Sequence, residues 1–299
     1  MPIRDRLLAA LVALIWGCNF LAIHATLGQF PPVFSAALRF VVLAVPTILF
    51  VPWPKVKVRY LLGYGLGFGT AQFAFLYIAM ATGMPTGLAS LVLQASAPFT
   101  VLLGSVFLGE RVTPGQLGGI GLAVAGMAVI AWQRAGHAAL LPMLLTLLAA
   151  LSWAFGNMAT RQARPDSPLN FTLWMSVVPP LPLFALSLVM EGPSAQWHSL
   201  TTLGTPAGLV ALAGMAYVVL LSTVVGSGTW TTLMRRNAAG VVAPFSLLVP
   251  VAGISASFLV LGERPSLVEI SAAVVVIGGV LLGSRPARKP VRELVPAEV

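Results

Sequence analysis

A four-residue motif occurs twice in this chain, and its two copies decide how the fold is interpreted. The sequence reads LGERVTPGQLGG at residues 108–119 and LGERPSLVEISA at residues 261–272. In each copy a hydroxyl residue, Thr113 or Ser266, stands three positions before a glutamine or glutamate. That spacing is typical of a capping box, in which the two side chains satisfy free backbone amides at a helix start. Each copy therefore predicts a tight turn between two helices.

The charged residues of the motif are expected to have a structural role at the membrane–water interface. A carboxylate just before a helix is favoured by the positive N-terminal end of that helix. We therefore expect each glutamate to stabilise the N-terminal end of the helix that follows it. The adjacent arginine is expected to reach lipid headgroups or the last carbonyls of the preceding helix. Proton binding by the glutamates is the alternative, and their interfacial position disfavours it. These residues are Glu110, Arg111, Glu263 and Arg264.

Composition places the chain in the membrane. Only 8% of the residues are charged and 58% are hydrophobic, whereas a soluble domain carries about 25% charged residues. About 20 apolar residues cross a bilayer once, and the apolar segments do not alternate as the strands of a membrane β-barrel would. The sequence therefore predicts an all-α polytopic membrane protein with ten transmembrane helices. The spans are approximately 7–27, 33–51, 61–82, 86–108, 113–132, 139–159, 169–190, 206–232, 238–261 and 266–283.

The distribution of positive charge predicts the orientation, since cytoplasmic loops are enriched in lysine and arginine. With the N-terminus in the cytoplasm, fourteen lysines and arginines fall in cytoplasmic segments and two in outer loops. The protein is then expected in the inner membrane, with both termini facing the cytoplasm. The net charge of +9 is explained by these loops, so no nucleic-acid partner is expected.

The two motif copies are separated by five spans, an odd number, so they are expected on opposite faces of the membrane. The chain therefore divides into two inverted five-helix repeats, an arrangement common in secondary transporters. We expect the first repeat at 1–134, the second at 135–283, and a flexible cytoplasmic tail at 284–299.

The sequence offers little for catalysis or cofactor binding. The glycine-rich stretch GYGLGFG at residues 63–69 lies inside an apolar span, where G-x-x-x-G spacing favours close helix packing over phosphate binding. We expect the same packing at Gly115/Gly119 and Gly279/Gly283. The three histidines lie in separate segments, and Asp5 and Asp166 are expected in a tail or loop. No enzyme activity, metal or cofactor is therefore predicted.

Polar and aromatic side chains near the middle of the spans are the candidate substrate-binding residues, because hydrocarbon penalises polar groups there. Ordinary interhelical hydrogen bonding is the alternative for each of them. Pro98 and Pro250 lie at similar depth in the equivalent spans 4 and 9, as hinges or static kinks. The candidates are Trp16, Asn19, Gln72, Tyr77, Gln94, Trp153, Asn157 and Ser246.

Arg39 is the only charge well inside a span. It could hold a substrate carboxylate, or it could extend outward to the headgroups or pair with helix-end carbonyls. The structural interpretation is favoured.

The repeated motif, the glycine-containing helix after each copy and the tryptophan in the middle of span 1 resemble the EamA-like drug/metabolite transporter superfamily. Within it the chain is similar to the YddG-type bacterial amino-acid exporters. The resemblance covers the whole chain and implies a central cavity lined by spans 1, 3, 4, 6, 8 and 9. The candidate residues lie in those spans, and Arg39, on span 2, would lie outside the cavity.

The residues that are absent from the spans narrow the substrate. Phosphate-bearing substrates call for lysine or arginine in the cavity, and all three lysines lie in a loop or tail. A proton-coupled cation exchanger needs a membrane-embedded carboxylate, and the only glutamate in the spans, Glu269, is interpreted as a cap. We therefore expect a monomeric exporter of neutral or aromatic amino acids, working by alternating access without obligatory proton coupling. The alternatives are export of uncharged or amphipathic xenobiotics, and a membrane scaffold or sensor that transports nothing.

Overall fold

A computed structural model describes residues 1–135, 140–237 and 239–283, and helices account for every regular element in these ranges. The tail predicted at 284–299 lies outside the described residues, as does His137. Ten apolar helices occur where ten spans were predicted, and eight of them meet both the length and the hydropathy expected of a membrane-spanning helix. They are α1 (Ile3–Leu27), α2 (Pro32–Phe50), α3 (Val58–Ala81), α4 (Thr86–Leu108), α5 (Pro114–Ala135), α6 (Leu140–Ala163), α7 (Pro168–Met190), α8 (Pro206–Arg236), α9 (239–261) and α10 (Leu267–Gly283).

Both predicted capping boxes form. The Thr113 N–H donates to Gln116 Oε1 at 2.9 Å while the Gln116 N–H donates to Thr113 Oγ1 at 3.2 Å. At the second copy the Ser266 N–H donates to Glu269 Oε2 at 2.8 Å, and the Glu269 N–H donates to Ser266 Oγ at 3.2 Å. Two otherwise free amides are thus satisfied at the start of α5 and of α10.

The glycine of each motif copy ends the preceding helix. Gly109 and Gly262 have φ angles of 65° and 68°, a left-handed conformation in which glycine carries no steric penalty. The next N–H then turns back onto the helix, from Glu110 to the carbonyl of Gly104 and from Glu263 to that of Ser257, each at 3.3 Å. In each copy the glycine therefore ends one helix, and the residue four positions later, Thr113 or Ser266, caps the start of the next.

Most of the extensive helix contacts join the two halves of the chain. Each of these contacts is matched by an equivalent one in which every helix is replaced by its counterpart in the other half, as expected of two repeats. Helix α1 packs against α8 and α9, and its counterpart α6 packs against α3 and α4. Helices α2 and α7, α4 and α9, and α5 and α10 pair with their own counterparts. The two repeats therefore interlock, and the apolar core is shared between them.

Glycines set how closely these helices approach. On α3, a side chain at Gly65 or Gly69 would collide with α7, and one at Gly63 or Gly67 would press against α6. The GYGLGFG stretch is therefore a helix-packing surface, as predicted.

A second close approach joins α5 to α10, where a side chain at Gly119 would meet the backbone of Gly279 and Gly283. The prediction for Gly115 is wrong, because no atom lies within 4 Å of the position its side chain would occupy. The crossing point of the two helices lies one turn further along α5.

The carboxylate of Glu263 does not serve the helix that follows it, which corrects the sequence prediction. Glu263 Oε1 accepts the Thr86 N–H at 2.8 Å and Oε2 accepts the Gly87 N–H at 3.0 Å. These are the first free amides of α4, so the second repeat caps a helix of the first.

A second carboxylate works in the same way at the same face of the bundle. Glu191, in the turn after α7, accepts the Val33 N–H at 2.6 Å and the Phe34 N–H at 3.0 Å at the start of α2. A short helix that the sequence analysis did not anticipate, Pro193–Thr201, follows this turn. The face opposite the N-terminus is therefore joined by two cross-repeat caps.

Glu110, the counterpart of Glu263, has a different partner. It forms a salt bridge with Arg161 at the end of α6, in which both side chains are more than 40% exposed. Here too the carboxylate does not serve the following helix. Arg111 and Arg264 are exposed. The two motif copies thus share their backbone turn but differ in the interaction that their glutamate makes.

The inverted arrangement predicts which turns share a face of the membrane. In a Cys18→Ala background, Lys57→Cys and Arg111→Cys should react with an impermeant maleimide from one face, because two and four helices, both even numbers of crossings, separate them from the N-terminus. Thr82→Cys and Arg264→Cys should react from the other face. All four positions are exposed, and labelling of intact cells against inverted vesicles measures the difference. Labelling of Arg111→Cys and Arg264→Cys from the same face would contradict the inverted repeat.

The different partners of the two glutamates predict different effects on stability. Glu263→Gln should lower the free energy of unfolding by about 0.5–2 kcal/mol, because a helix cap loses its charge and one acceptor. Glu110→Gln, the matched variant, should cost about 0.2–1 kcal/mol or less, as an exposed ion pair does. Unfolding of the detergent-solubilised protein compares the two, and a larger loss for Glu110→Gln would show that the cross-repeat cap does not stabilise the fold.

Candidate functional site

The middle of the bundle is marked by breaks in otherwise regular helices. Helices α4 and α9 tighten into 3-10 turns at Leu93–Ala95 and Ala243–Leu247, one turn before Pro98 and Pro250. Each proline lacks the N–H that would bond to the carbonyl four residues earlier, at Gln94 and at Ser246. The two predicted kink positions are therefore sites of irregular backbone at equivalent depth.

The Gln94 side chain links the two breaks. Its Nε2 donates to the backbone carbonyl of Ser246 at 3.3 Å, the carbonyl that Pro250 leaves without its α-helical donor. Two residues predicted at the site are thus brought together at the crossing of α4 and α9.

Helices α3 and α8 carry a second pair of breaks, which the sequence analysis missed. Each widens into a π-helix, at Gly65–Ala71 and at Tyr217–Gly226. π-Helical segments are rare in proteins, and those that occur are often found at functional sites. The one recurrent local signal is a threonine that bonds to the carbonyl five residues earlier, Thr70 to Gly65 at 3.1 Å and Thr223 to Val218 at 2.8 Å.

Trp16 is held by the second of these π-helices. Its indole N–H donates to the Ser222 carbonyl at 3.0 Å, and its ring lies 5.2 Å from that of Trp230. The ring is therefore fixed against α8 while remaining half-buried.

A row of aromatic rings runs from α6 along α3. The Trp153 and Phe68 ring centroids are 5.6 Å apart, as are those of Phe68 and Phe73, and those of Phe73 and Tyr77 are 6.3 Å apart. All three contacts are edge-to-face, a favourable geometry for aromatic pairs. We call Trp153, Phe68, Phe73 and Tyr77 the aromatic row.

The eight predicted residues divide by exposure. Gln72 and Tyr77 are 2% and 0% exposed, so neither faces open space in this conformation. The other six are half-buried at the middle of the bundle, the degree of burial expected along a narrow cavity. These six are Trp16, Asn19, Gln94, Trp153, Asn157 and Ser246.

The hydrogen bonds and ring contacts divide the predicted substrate-binding residues into separate groups. Trp153 and Tyr77 belong to the aromatic row, Gln94 joins Ser246, and Trp16 faces α8. Asn157 Nδ2 donates to Thr100 Oγ1 at 3.0 Å, which links α6 to α4.

Two amide oxygens in this region are buried without a hydrogen-bond partner, Oδ1 of Asn19 and Oε1 of Gln72. Buried polar atoms are normally paired, so each is an acceptor available to a ligand or water.

Arg39 does not extend outward to the headgroups as one interpretation proposed. It is only 6% exposed, and its guanidinium lies over the Phe73 ring at 4.0 Å and near the Phe40 ring at 5.2 Å. Its Nη2 donates to Thr223 Oγ1 on α8 at 3.2 Å. The guanidinium therefore points into the bundle, beside the aromatic row.

Asp5 is also placed differently from the prediction. It lies in the first turn of α1, is 8% exposed, and accepts a hydrogen bond from Asn237 Nδ2 at 2.8 Å. The helix begins four residues earlier than the apolar span, which explains the error. In the described residues no three histidine, cysteine, aspartate or glutamate side chains cluster as metal ligands would.

Two surface cavities lie away from this region. One, of about 240 Å³, adjoins Glu263 and the start of α4, and the other, of about 500 Å³, lies among α3, α4 and α6 near Arg59 and Phe107. None of the eight predicted residues lines either cavity. The predicted substrate-binding residues therefore do not belong to these two cavities.

Comparison with known proteins agrees with the helical architecture. A solved crystal structure superposes with a TM-score of 0.60 over 95% of this chain and 97% of that chain, at 21% sequence identity, which supports the fold alone. The chain is 41% identical to a probable amino-acid metabolite efflux pump of Escherichia coli strain K12, over 94% of this chain and 95% of that protein. It is 40% identical to the protein of the same description in Salmonella typhimurium, with the same coverage.

The family follows from two matched segments, residues 6–132 and 140–285, which each correspond to one set of five helices. Those segments match the model of the EamA-like transporter family, and the chain belongs to that family.

Proposed function

We propose that this protein exports neutral or aromatic amino acids, and related small metabolites, across the bacterial inner membrane. The observation that supports this most directly is the combination of an aromatic row with amide side chains at the middle of the bundle. Aromatic faces attract both apolar side chains and ammonium groups, and amides donate to and accept from polar ligands. The names of the two similar efflux pumps support the same substrate class.

The orientation in this proposal places the N-terminal face in the cytoplasm, as the lysine and arginine distribution predicts. The opposite face, joined by the Glu191 and Glu263 caps, is then the outer face. Export by alternating access requires these caps to separate when the outer face opens. A single chain provides both repeats, so we propose that the monomer is functional.

The aromatic row predicts a loss of substrate affinity when its α6 member is removed. Trp153→Ala should raise the KM for phenylalanine roughly 2- to 30-fold, corresponding to about 0.5–2 kcal/mol of lost ring contacts. Trp153→Phe should retain most of the affinity. Uptake of labelled phenylalanine into liposomes measures both.

The control is Trp53→Ala, which removes a tryptophan from another edge-to-face pair, with Trp174 at 4.9 Å, near the N-terminal face. It should leave KM unchanged. Normal transport by well-expressed Trp16→Ala and Trp153→Ala proteins would place the substrate elsewhere.

The energetics of transport are predicted from the positions of the acidic residues. No described carboxylate lies at mid-depth to carry a proton between faces. The carboxylates lie at the two ends of the bundle, with Glu191, Glu263 and Glu269 at one and Asp5, Glu110 and Asp166 at the other. With equal phenylalanine on both sides of a liposome, an imposed pH gradient should therefore cause no accumulation. Accumulation that Glu269→Gln, His24→Ala or Asp5→Asn abolishes would reveal a proton site and contradict the prediction.

A further inference from the structure

Arg39 is a buried cation in a part of the protein that should exclude one. It lies seven residues after the first residue of α2, about 10 Å from that end of the helix, and only 6% of its surface is exposed. Placing an arginine at the middle of a membrane helix costs about 2.5–3.5 kcal/mol even by the lowest scales. A cation retained at such a position is a functional-site candidate whose partner must be identified.

The described protein atoms do not supply a negative partner. No carboxylate in the described ranges forms a salt bridge with Arg39. The acidic side chains there are engaged elsewhere or exposed: Asp5 with Asn237, Glu110 with Arg161, Glu191 and Glu263 as helix caps, Glu269 in a capping box, and Asp166 at the surface.

The hydrogen bonding of the guanidinium is also incomplete. Its Nη2 reaches Thr223, but Nη1 is buried and has no hydrogen-bond partner. The contact with the face of Phe73 is a cation–π interaction, which stabilises the charge but leaves the in-plane N–H groups free. Packing against the rings therefore accounts for the position of Arg39 and not for its unused donor.

Tyr77 presents a second unused group at the same place. Its side chain is completely buried, and its hydroxyl lies beside the Arg39 guanidinium and the Thr26 hydroxyl without forming a hydrogen bond of normal geometry with either. A phenolic O–H and a guanidinium N–H are therefore adjacent, both available to one acceptor that carries negative charge.

We propose that Arg39 and Tyr77 bind the carboxylate of the transported amino acid, an inference that rests on the proposed function and specifies how the substrate is recognised. A carboxylate offers two oxygens in the plane that a guanidinium edge matches, and a buried charge pair of this kind stabilises both partners. The cost of burying Arg39 is then offset when substrate is bound.

The surrounding residues fit the rest of an amino acid. From Arg39 the aromatic row leads through Phe73 and Phe68 to Trp153, which provides contact for an apolar or aromatic side chain. The unpartnered acceptors of Asn19 and Gln72 suit an ammonium group. Unpartnered donors thus occur beside the aromatic row and unpartnered acceptors occur on α1 and α3, and a zwitterion requires groups of both kinds.

The test compares ligands with and without a carboxylate. Purified protein is heated with phenylalanine, phenylalaninamide or 2-phenylethylamine, and the concentration that gives half of the maximal protection against unfolding is measured for each. The wild type should bind phenylalanine roughly 30-fold or more tightly than the amide, because the amide leaves the buried cation unpaired. Arg39→Gln should bind both ligands with the affinity that the wild type has for the amide. Arg39→Lys should retain a smaller preference, since it keeps the charge without the planar fork.

Matched controls separate recognition from folding. Arg59→Gln removes another arginine that lies over an aromatic ring, that of Tyr60 at 4.7 Å, and should keep the wild-type ratio. Tyr77→Phe, which removes one oxygen from a buried side chain, should lower the preference for the acid several-fold. If Arg39→Gln fails to fold, Arg39→Lys and Tyr77→Phe replace it: a reduced preference for the acid in both supports the proposal, and an unchanged preference in both contradicts it.

Two results would overturn the proposal, and they have different meanings. Equal protection of the wild type by acid and amide, or equal losses for both ligands in Arg39→Gln, would show that Arg39 is structural while export of amino acids stands. Wild-type liposomes that move no amino acid in counterflow would overturn the proposed function and the carboxylate site with it.

Discussion

Every backbone carbonyl that a membrane helix releases must find a donor inside the protein, because hydrocarbon offers none. This constraint organises the middle of the molecule. Helices α3, α4, α8 and α9 all depart from α-helical geometry at mid-depth. Side chains meet the carbonyls at these breaks, that of Gln94 at Ser246 and that of Trp16 at Ser222. The irregular backbone and the polar side chains of the candidate site are therefore parts of one arrangement.

The two repeats are linked at their ends by charges and differ in how those charges are used. Glu263 bonds to two amides of α4 in the other repeat, whereas its counterpart Glu110 pairs with an exposed Arg161. Identical turn sequences therefore support different contacts at the two faces.

Much of the fold could be predicted from the sequence, but less of the site. The ten helices, the two capping boxes and the glycine surface of α3 follow from signals that lie within a few residues of one another. The candidate residues were chosen by their position near the middle of a span, which a sequence shows directly. Their grouping was not predictable, and neither were the π-helices. Arg39 was expected outside the cavity because span 2 is not among the lining spans that the resemblance implies. Its contacts with Phe73 and Thr223 were not predictable, because the direction of a side chain around a helix depends on which neighbours pack against that helix.

Sequence alone was sufficient for the class of protein, the number of helices and the turns between them, since hydrophobicity and helix capping are local properties. The partners of the charged residues were decided by the tertiary structure. Arg39 reaches Thr223 across 184 residues, and Glu263 caps Thr86 across 177. Such contacts exist only after the two repeats have interlocked, because each side chain then has a single set of neighbours within reach. The same packing leaves one guanidinium N–H and one phenolic hydroxyl buried without partners.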